Sequence, residues 1–324
     1  MPNESSYSST IAYRPSWRSR LLNAALWLIT RRRLDQHADI VALRRQYEDL
    51  DRRNFRPDPD ETRATCKCGD VPAEWVSVPE SRPERVLLYL HGGSFAFRFP
   101  NAHAMLAARI CRRLGTRALL PDYRLAPEHP FPAAPDDCEA VYRWLLESGV
   151  EPRNIVLAGD SAGGNLALVI LQRARAANVP LPACVVLLSP ALDCTMSSPS
   201  MAAYDGHDPM LQLANLLVLR GYYVGSPQEY TNPEVSPLFA DFRGFPPMFL
   251  QVGASELLRD EATRAADKAF VAGVDVELEI WPGVAHAFQV ARFLPESAQA
   301  IENIVRFVVK RTGWADASTP EPVN

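Results

Sequence analysis

The residues best suited to chemistry stand together at Gly159-Asp160-Ser161-Ala162-Gly163-Gly164-Asn165. An apolar run, Ile155 to Ala158, precedes them, and helical spacing from Ala162 to about Ala176 follows. A serine between a buried strand and a helix, with glycine two positions to either side, fits the sharp turn that lifts a hydroxyl above a sheet. Gly159 and Gly163 leave that turn room. The Ala162 N–H opens the helix and is free to meet a developing negative charge. Such a serine does acyl transfer as a nucleophile. A second segment, His91-Gly92-Gly93-Ser94-Phe95, follows the apolar run Arg85 to Leu90. Two consecutive glycines turn backbone N–H groups into a cavity without side-chain interference. With the Ala162 N–H, those of Gly92 and Gly93 are the expected oxyanion hole. Taken alone, this segment reads equally well as a Gly-Gly turn with a structural histidine. The serine turn downstream supplies the matching half of a site.

A serine nucleophile needs a base, and the base needs an orienting acid. Of the six histidines, His37 falls in the N-terminal helical region and His91 in the Gly-Gly loop, while His103, His129 and His207 follow no core strand. His286 lies in Trp281-Pro282-Gly283-Val284-Ala285-His286-Ala287-Phe288, at the carboxyl end of the last strand and after the serine in chain order. That order is the one this triad arrangement demands. The acid should follow the preceding strand, Met248 to Val252. Glu256, Asp260 and Glu261 are the candidates, and Glu256 is favoured because it is nearest the strand end. Asp260 and Glu261 fall where a helix begins, a place carboxylates favour for other reasons.

Strands and helices must alternate to hold these loops at one edge. Expected strands are Ala73 to Val78, Arg85 to Leu90, Arg117 to Leu120, Asn154 to Ala158, Ala183 to Leu188, Met248 to Val252 and Val274 to Trp281. Expected helices are Ala102 to Leu114, Pro135 to Ser148, Ala162 to Ala176 and Pro295 to Lys310. Continuous apolar strands between helices of 10 to 15 residues predict a mostly parallel sheet with helices on both faces, an α/β fold. Residues 1 to about 45 read as helical and 52 to 72 as a linker. The stretch 195–245 breaks the alternation and holds one helix near Leu211 to Val224. An insertion between core strands suits a lid at the carboxyl ends of the strands. The organisation expected is an N-terminal helical part of a cap (1–50), a first core part (51–194), a cap insertion (195–245) and a second core part (246–324).

Composition excludes several other classes. The chain has 324 residues, 47% hydrophobic and 22% charged, with net charge -4 and a pI of about 5.9. That supports a sizeable core and gives no basic excess for nucleic acid. The six cysteines are too few for a disulfide scaffold, and Cys66 and Cys68 lack the second pair or histidine cluster of a zinc site. Reduced thiols in a cytoplasmic protein are expected, with no metal and no organic cofactor. The apolar run Leu21 to Ile29, followed by Arg31-Arg32-Arg33, is too short to span a membrane and lacks a cleavage site. It reads as an amphipathic helix lying on the protein's own surface, with a membrane surface as the alternative.

Several segments in order carry a resemblance. They are the His91-Gly92-Gly93 loop, Asp122-Tyr123-Arg124-Leu125-Ala126-Pro127-Glu128 with Pro130 and Pro132, the Gly159 to Asn165 turn, the Leu257 to Glu261 segment and the Gly283 to Phe288 loop. Together they resemble bacterial esterases of the hormone-sensitive-lipase branch of the α/β-hydrolases, from about Val86 to the last helix. The resemblance implies Ser161, His286 and an acid at Glu256 as catalytic, and Gly92, Gly93 and Ala162 as oxyanion donors. It implies a cap from the N-terminal helices and the 195–245 insertion. It also implies a small-molecule ester as substrate, of short to medium acyl chain, with lactones, carbamates and activated amides open to the same chemistry. A homodimer is compatible with it. A non-catalytic ligand receptor on the same fold is the competing class, distinguished by loss of a triad member. Two positions depart from the family pattern: Ser94 stands where glycine is usual, and Glu256 where aspartate is usual. Arg124 and Glu128 are expected to pair with each other beneath the loops. Leu21, Leu22, Leu26, Trp27, Met210, Leu213, Leu216 and Leu217 are candidate pocket or packing residues.

Overall fold

The computed structural model describes residues 6–12, 14–30, 34 and 38–314. His37 and Arg31 to Arg33 lie outside them. The strands are β1 (Ser8–Thr10), β2 (Thr62–Cys68), β3 (Val71–Ser77), β4 (Val86–Leu90), β5 (Arg117–Pro121), β6 (Ile155–Asp160), β7 (Cys184–Leu188), β8 (Met248–Gly253) and β9 (Val276–Trp281). They form one sheet in the order β1-β9-β8-β7-β6-β4-β5-β3-β2. Only the pairings of β3 with β2 and with β5 are antiparallel. The fold is that of an α/β-hydrolase.

The helices are α1 (Trp17–Thr30), α2 (Ile40–Asn54), α3 (Pro100–Leu114), α4 (Ala133–Glu147), α5 (Ala162–Ala176), α6 (Pro199–Tyr204), α7 (Leu213–Tyr223), α8 (Arg259–Val271) and α9 (Pro295–Thr312). Side chains alternate across each strand, so β4 feeds two cores. Val86, Leu88 and Leu90 pack with Leu145 of α4 and Leu166 of α5 on one face. Leu87 and Tyr89 pack with Leu106 and Ile110 of α3 and Ile304 and Val308 of α9 on the other. Burial on both faces is why the central strands are unbroken apolar runs.

Two expectations for the N-terminal part are corrected. The helical reading of residues 1–45 missed β1, which pairs with β9, and α2 continues to Asn54. The linker reading of 52–72 missed β2. Arg63, Thr65 and Lys67 make one face of it polar, and Thr62 and Ala64 leave the other partly exposed, so no apolar alternation marks it, and Gly69 at φ 62 turns the chain into β3. The 195–245 stretch holds α6 as well as the expected α7. Among the described residues no helix is long and apolar enough to cross a membrane.

Candidate active site

Ser161 lies between β6 and α5 at φ 51, ψ -119, a strained conformation for a side chain with a Cβ. Backbone bonds hold it there. Its N–H donates to Leu188 O at 2.9 Å, and its carbonyl accepts from Gly164 and Ala191 N–H at 3.1 and 3.0 Å. The turn also presses α5 against β4. A Cβ on Gly163 would lie 1.9 Å from the Leu90 carbonyl oxygen. Gly163→Ala must push two backbone segments apart, and we expect it to cost about 3 kcal/mol, read from the midpoint of urea unfolding. An unchanged midpoint would refute this account of the close approach.

His286 and Glu256 meet at one side of the sheet edge. Glu256 Oε2 and His286 Nδ1 are 2.8 Å apart, with Glu256 fully buried and His286 and Ser161 only 6% and 8% exposed. Glu256 Oε1 accepts from Ser189 Oγ at 2.8 Å and Gly253 N–H at 2.6 Å. One oxygen is thus fixed by two donors and the other is left for the imidazole. Burial opposes charge on His286, but the hydrogen bond and charge of Glu256, with Asp208 and Asp160 beyond, raise its pKa above the usual 6.5. Asp260 sits elsewhere. Its carboxylate accepts from Ser200 N–H at 2.9 Å and pairs with Arg259. Glu261 turns its Oε2 to the backbone N–H groups of Leu192 and Asp193, and burial pushes its pKa up to about 8. Neither touches His286.

The Gly-Gly loop sits across from Ser161, and here one expectation is corrected. The Gly92 N–H donates to Asp160 Oδ1 at 2.9 Å, so it is already committed and cannot serve an oxyanion. Among the described residues, the N–H groups of Gly93, Ser94 and Ala162 make no hydrogen bond. Gly93 is held at φ 122 and Ser94 at φ 54. The left-handed backbone at Ser94 explains why glycine is usual at that position.

Sequence reading missed the cluster that holds this loop. Asp160 also accepts from Tyr89 Oη at 2.9 Å and pairs with His103 Nε2 at 3.3 Å. Burial works against its charge, yet His103 and Tyr89 hold its pKa down at about 2. His103, also buried, has a raised pKa because Asp160 outweighs the loss of water. His91 is different: burial lowers its pKa to about 4, so it is neutral at pH 7. Its Nδ1–H donates to Gly92 O at 2.8 Å, and Tyr123 stacks on its ring at 4.2 Å. The only signal in the sequence was Asp160 itself, inside the serine turn. Arg124 and Glu128 do not pair with each other. Arg124 binds Asp137 at 2.8 Å and Glu128 binds Arg44 of α2 at 2.7 Å, which ties the N-terminal helices to the core.

Two clefts lie on this part of the molecule, the first of them at Ser161. One is lined by Ser94, Ser161, Ala162 and, from α7, Leu216, Leu219 and Tyr223. The other runs between Trp27 and Leu28 of α1 and Ser255, Gly283 and Val284, which are close in the chain to Glu256 and His286. Of the apolar residues expected at a pocket, Leu216 lines the first cleft and Trp27 the second. Leu22 packs against the cluster of Trp281, Val284 and Phe288, Leu213 and Leu216 pack beside Met201, Leu257 and Leu258, and Leu21 is exposed. Among the described residues no group of His, Cys, Asp or Glu is arranged to hold a metal ion.

Comparison with known proteins bears on the chemistry. A family model described as alpha/beta hydrolase fold matches residues 87–290. The chain is 39% identical to an acetyl-hydrolase of Streptomyces hygroscopicus, over 76% of this chain and 82% of that one. It is 36% identical to an esterase of Acinetobacter venetianus, over 69% and 74%. Among solved structures, an esterase from the bacterial hormone-sensitive lipase family matches with a TM-score of 0.85 at 37% identity, covering 93% of this chain and all of that one. The esterase EstE5, soaked with p-nitrophenyl butyrate, matches at 0.84 and 33% identity, covering 92% and 99%.

Proposed function

The chain belongs to the hormone-sensitive-lipase branch of the α/β-hydrolases and is a carboxylic ester hydrolase, and from that premise we propose that it is a serine esterase of short- to medium-chain esters working through an acyl-enzyme on Ser161. The observation that carries the reading is the buried His286–Glu256 hydrogen bond beside a serine on a strained turn. Nδ1–H donation to Glu256 leaves Nε2 as the acceptor for the Ser161 proton. As Oγ attacks the ester carbonyl, the proton passes to Nε2 and Glu256 stabilises the imidazolium. The N–H groups of Gly93, Ser94 and Ala162 receive the oxyanion, where each donor contributes about 3 kcal/mol. His286 then protonates the leaving alcohol, so the alcohol departs on its side, toward the cleft under α1. The acyl group stays over Ser161, in the cleft closed by α7. Water repeats the sequence and releases the acid.

The cap in this reading consists of α1 and α2 with the 195–245 segment, since Leu216, Leu219 and Tyr223 close the acyl side and Trp27 and Leu28 the alcohol side. Short acyl chains are favoured by that closure and by the butyrate ester used on EstE5. Six unbridged cysteines suit a reducing compartment, and the cytoplasm is the location this reading assigns.

Acyl-enzyme trapping tests the proposal. After mixing with p-nitrophenyl acetate and quenching in acid, the peptide containing Ser161 is expected to carry one acetyl group by mass spectrometry. A burst of p-nitrophenol should accompany it. Turnover with no acetyl on any residue, or acetyl on a different residue, would remove Ser161 from the reaction.

A further inference from the structure

Helix α1 carries apolar side chains on the face it turns to water. Its inner edge mixes the two kinds of contact: Leu22 packs against the cluster of Trp281, Val284 and Phe288, while Ser19, its one buried residue, donates to Gly283 O at 2.6 Å, and Asn23 donates to the same oxygen at 3.0 Å. At its end Thr30 Oγ1 reaches Pro209 O at 3.1 Å. Its outer face is apolar. Trp17, Leu21, Leu28 and Ile29 are 67%, 60%, 72% and 71% exposed. Positions 17, 21 and 28 fall on one stripe of a 3.6-residue helix, with Ala24 and Ala25 also exposed between them. Phe293, half exposed, extends the patch, since its carbonyl accepts from Arg18 Nη1 at 2.9 Å.

The charges carried by α1 itself and by the residues just before it have one sign. Arg14, Arg18 and Arg20 are exposed there, α1 contains no Asp or Glu, and the sequence runs on into Arg31-Arg32-Arg33. The whole chain carries -4, so the cations are concentrated locally against the overall balance. A second copy docked by a two-fold axis would bring this face against itself, arginine to arginine with no acid on α1 to pair. A bilayer with anionic headgroups satisfies both features. Trp, Leu and Ile sink to the acyl boundary, and the arginines are drawn to the negative headgroups.

We propose that the outer face of α1 seats the protein on an anionic lipid surface. The cleft lined by Ala24, Trp27 and Leu28 of α1 with Gly283 and Val284 then opens along the flank of the seated helix, next to the lipid. On the serine-esterase reading above, this is the side from which the alcohol leaves, so the mouth of the leaving-group side faces the lipid headgroups. The docking itself stands apart from that reading, and its test needs no catalysis.

The experiment is co-sedimentation of the full chain with phosphatidylcholine vesicles, and with vesicles of equal parts phosphatidylcholine and phosphatidylglycerol. Binding to the anionic vesicles is expected to be about tenfold or more stronger, falling as salt is raised. A triple variant, Trp17→Ser with Leu21→Ser and Ile29→Ser, should lose most of that binding. Arg18→Gln with Arg20→Gln should weaken the preference for anionic lipid and flatten its fall with salt, since two of the cations counted there are gone. Both should melt like the parent, because the side chains changed are at the surface, and both should turn over a soluble short-chain ester as the parent does. Equal sedimentation of parent and triple variant would overturn the proposal, as would absence of binding to anionic vesicles. Light scattering that shows a dimer, made monomeric by the triple variant, would assign the face to a second copy instead. Absence of soluble-ester turnover in the parent would defeat the esterase reading and leave the vesicle result to decide the docking.

Discussion

Ser161→Ala is expected to lower the turnover number on a short-chain ester about a million-fold, roughly 8 kcal/mol of transition-state stabilisation. The fold should survive with a melting temperature within about 4 °C of the parent. Among the described residues the Ser161 hydroxyl makes no hydrogen bond, and the turn is held by the backbone bonds to Leu188, Gly164 and Ala191. Alanine keeps the Cβ, so the strain at φ 51 is unchanged. What disappears is the nucleophile alone. His286, Glu256 and the free N–H groups remain, and some acceleration over water persists from the oxyanion donors. The measurement is steady-state turnover beside circular dichroism. A folded variant keeping more than a few per cent of activity would transfer the nucleophile to another group, and the esterase mechanism would have to be rebuilt around it.

What the sequence made legible follows from how local each signal is. Strands β4, β6, β7 and β8 are apolar runs buried on both faces, and all four were read to within two residues. The serine turn was legible because its glycines, its strand and its helix are neighbours in the chain. The β2 strand escaped because one of its faces is polar and both are partly exposed, which its edge position permits. The commitment of the Gly92 N–H to Asp160 joins residues far apart in sequence, so spacing alone could not tell which glycine would be left free. The same holds for Arg124 and Glu128, whose partners are on α4 and α2. The direction of α1 escaped for a different reason. An apolar stripe shows that a helix has two faces, but which face meets the core depends on what lies beneath it. Here that is the Gly283 carbonyl, which asks for donors and receives Ser19 and Asn23.

Glu256→Gln should cut the turnover number by about four orders of magnitude, and the reason lies in the oxygen that does not touch His286. Glu256 Oε1 receives the Ser189 hydroxyl and the Gly253 N–H. The Gly253 N–H can only donate, so in the variant the amide oxygen must take the Oε1 place. That puts the amide NH2 at the Oε2 place, 2.8 Å from His286 Nδ1. An NH2 donates, so Nδ1 must become the acceptor and the imidazole proton moves to Nε2. The base then presents a proton to Ser161 where it needs a lone pair. The charge that raises the His286 pKa is lost as well. In the parent, the neutral base is needed for attack, so kcat/KM should climb with pH through a pKa above 6.5; in the variant that limb should move to lower pH. Asp260→Asn should leave turnover nearly unchanged, because its carboxylate serves Ser200 and Arg259, and should cost about 1 kcal/mol of stability. Turnover across pH for both variants on one ester decides the matter. A near-normal Glu256→Gln beside an inactive Asp260→Asn would reverse the acid assignment. Two near-normal enzymes would mean that Ser161 and His286 act without either carboxylate.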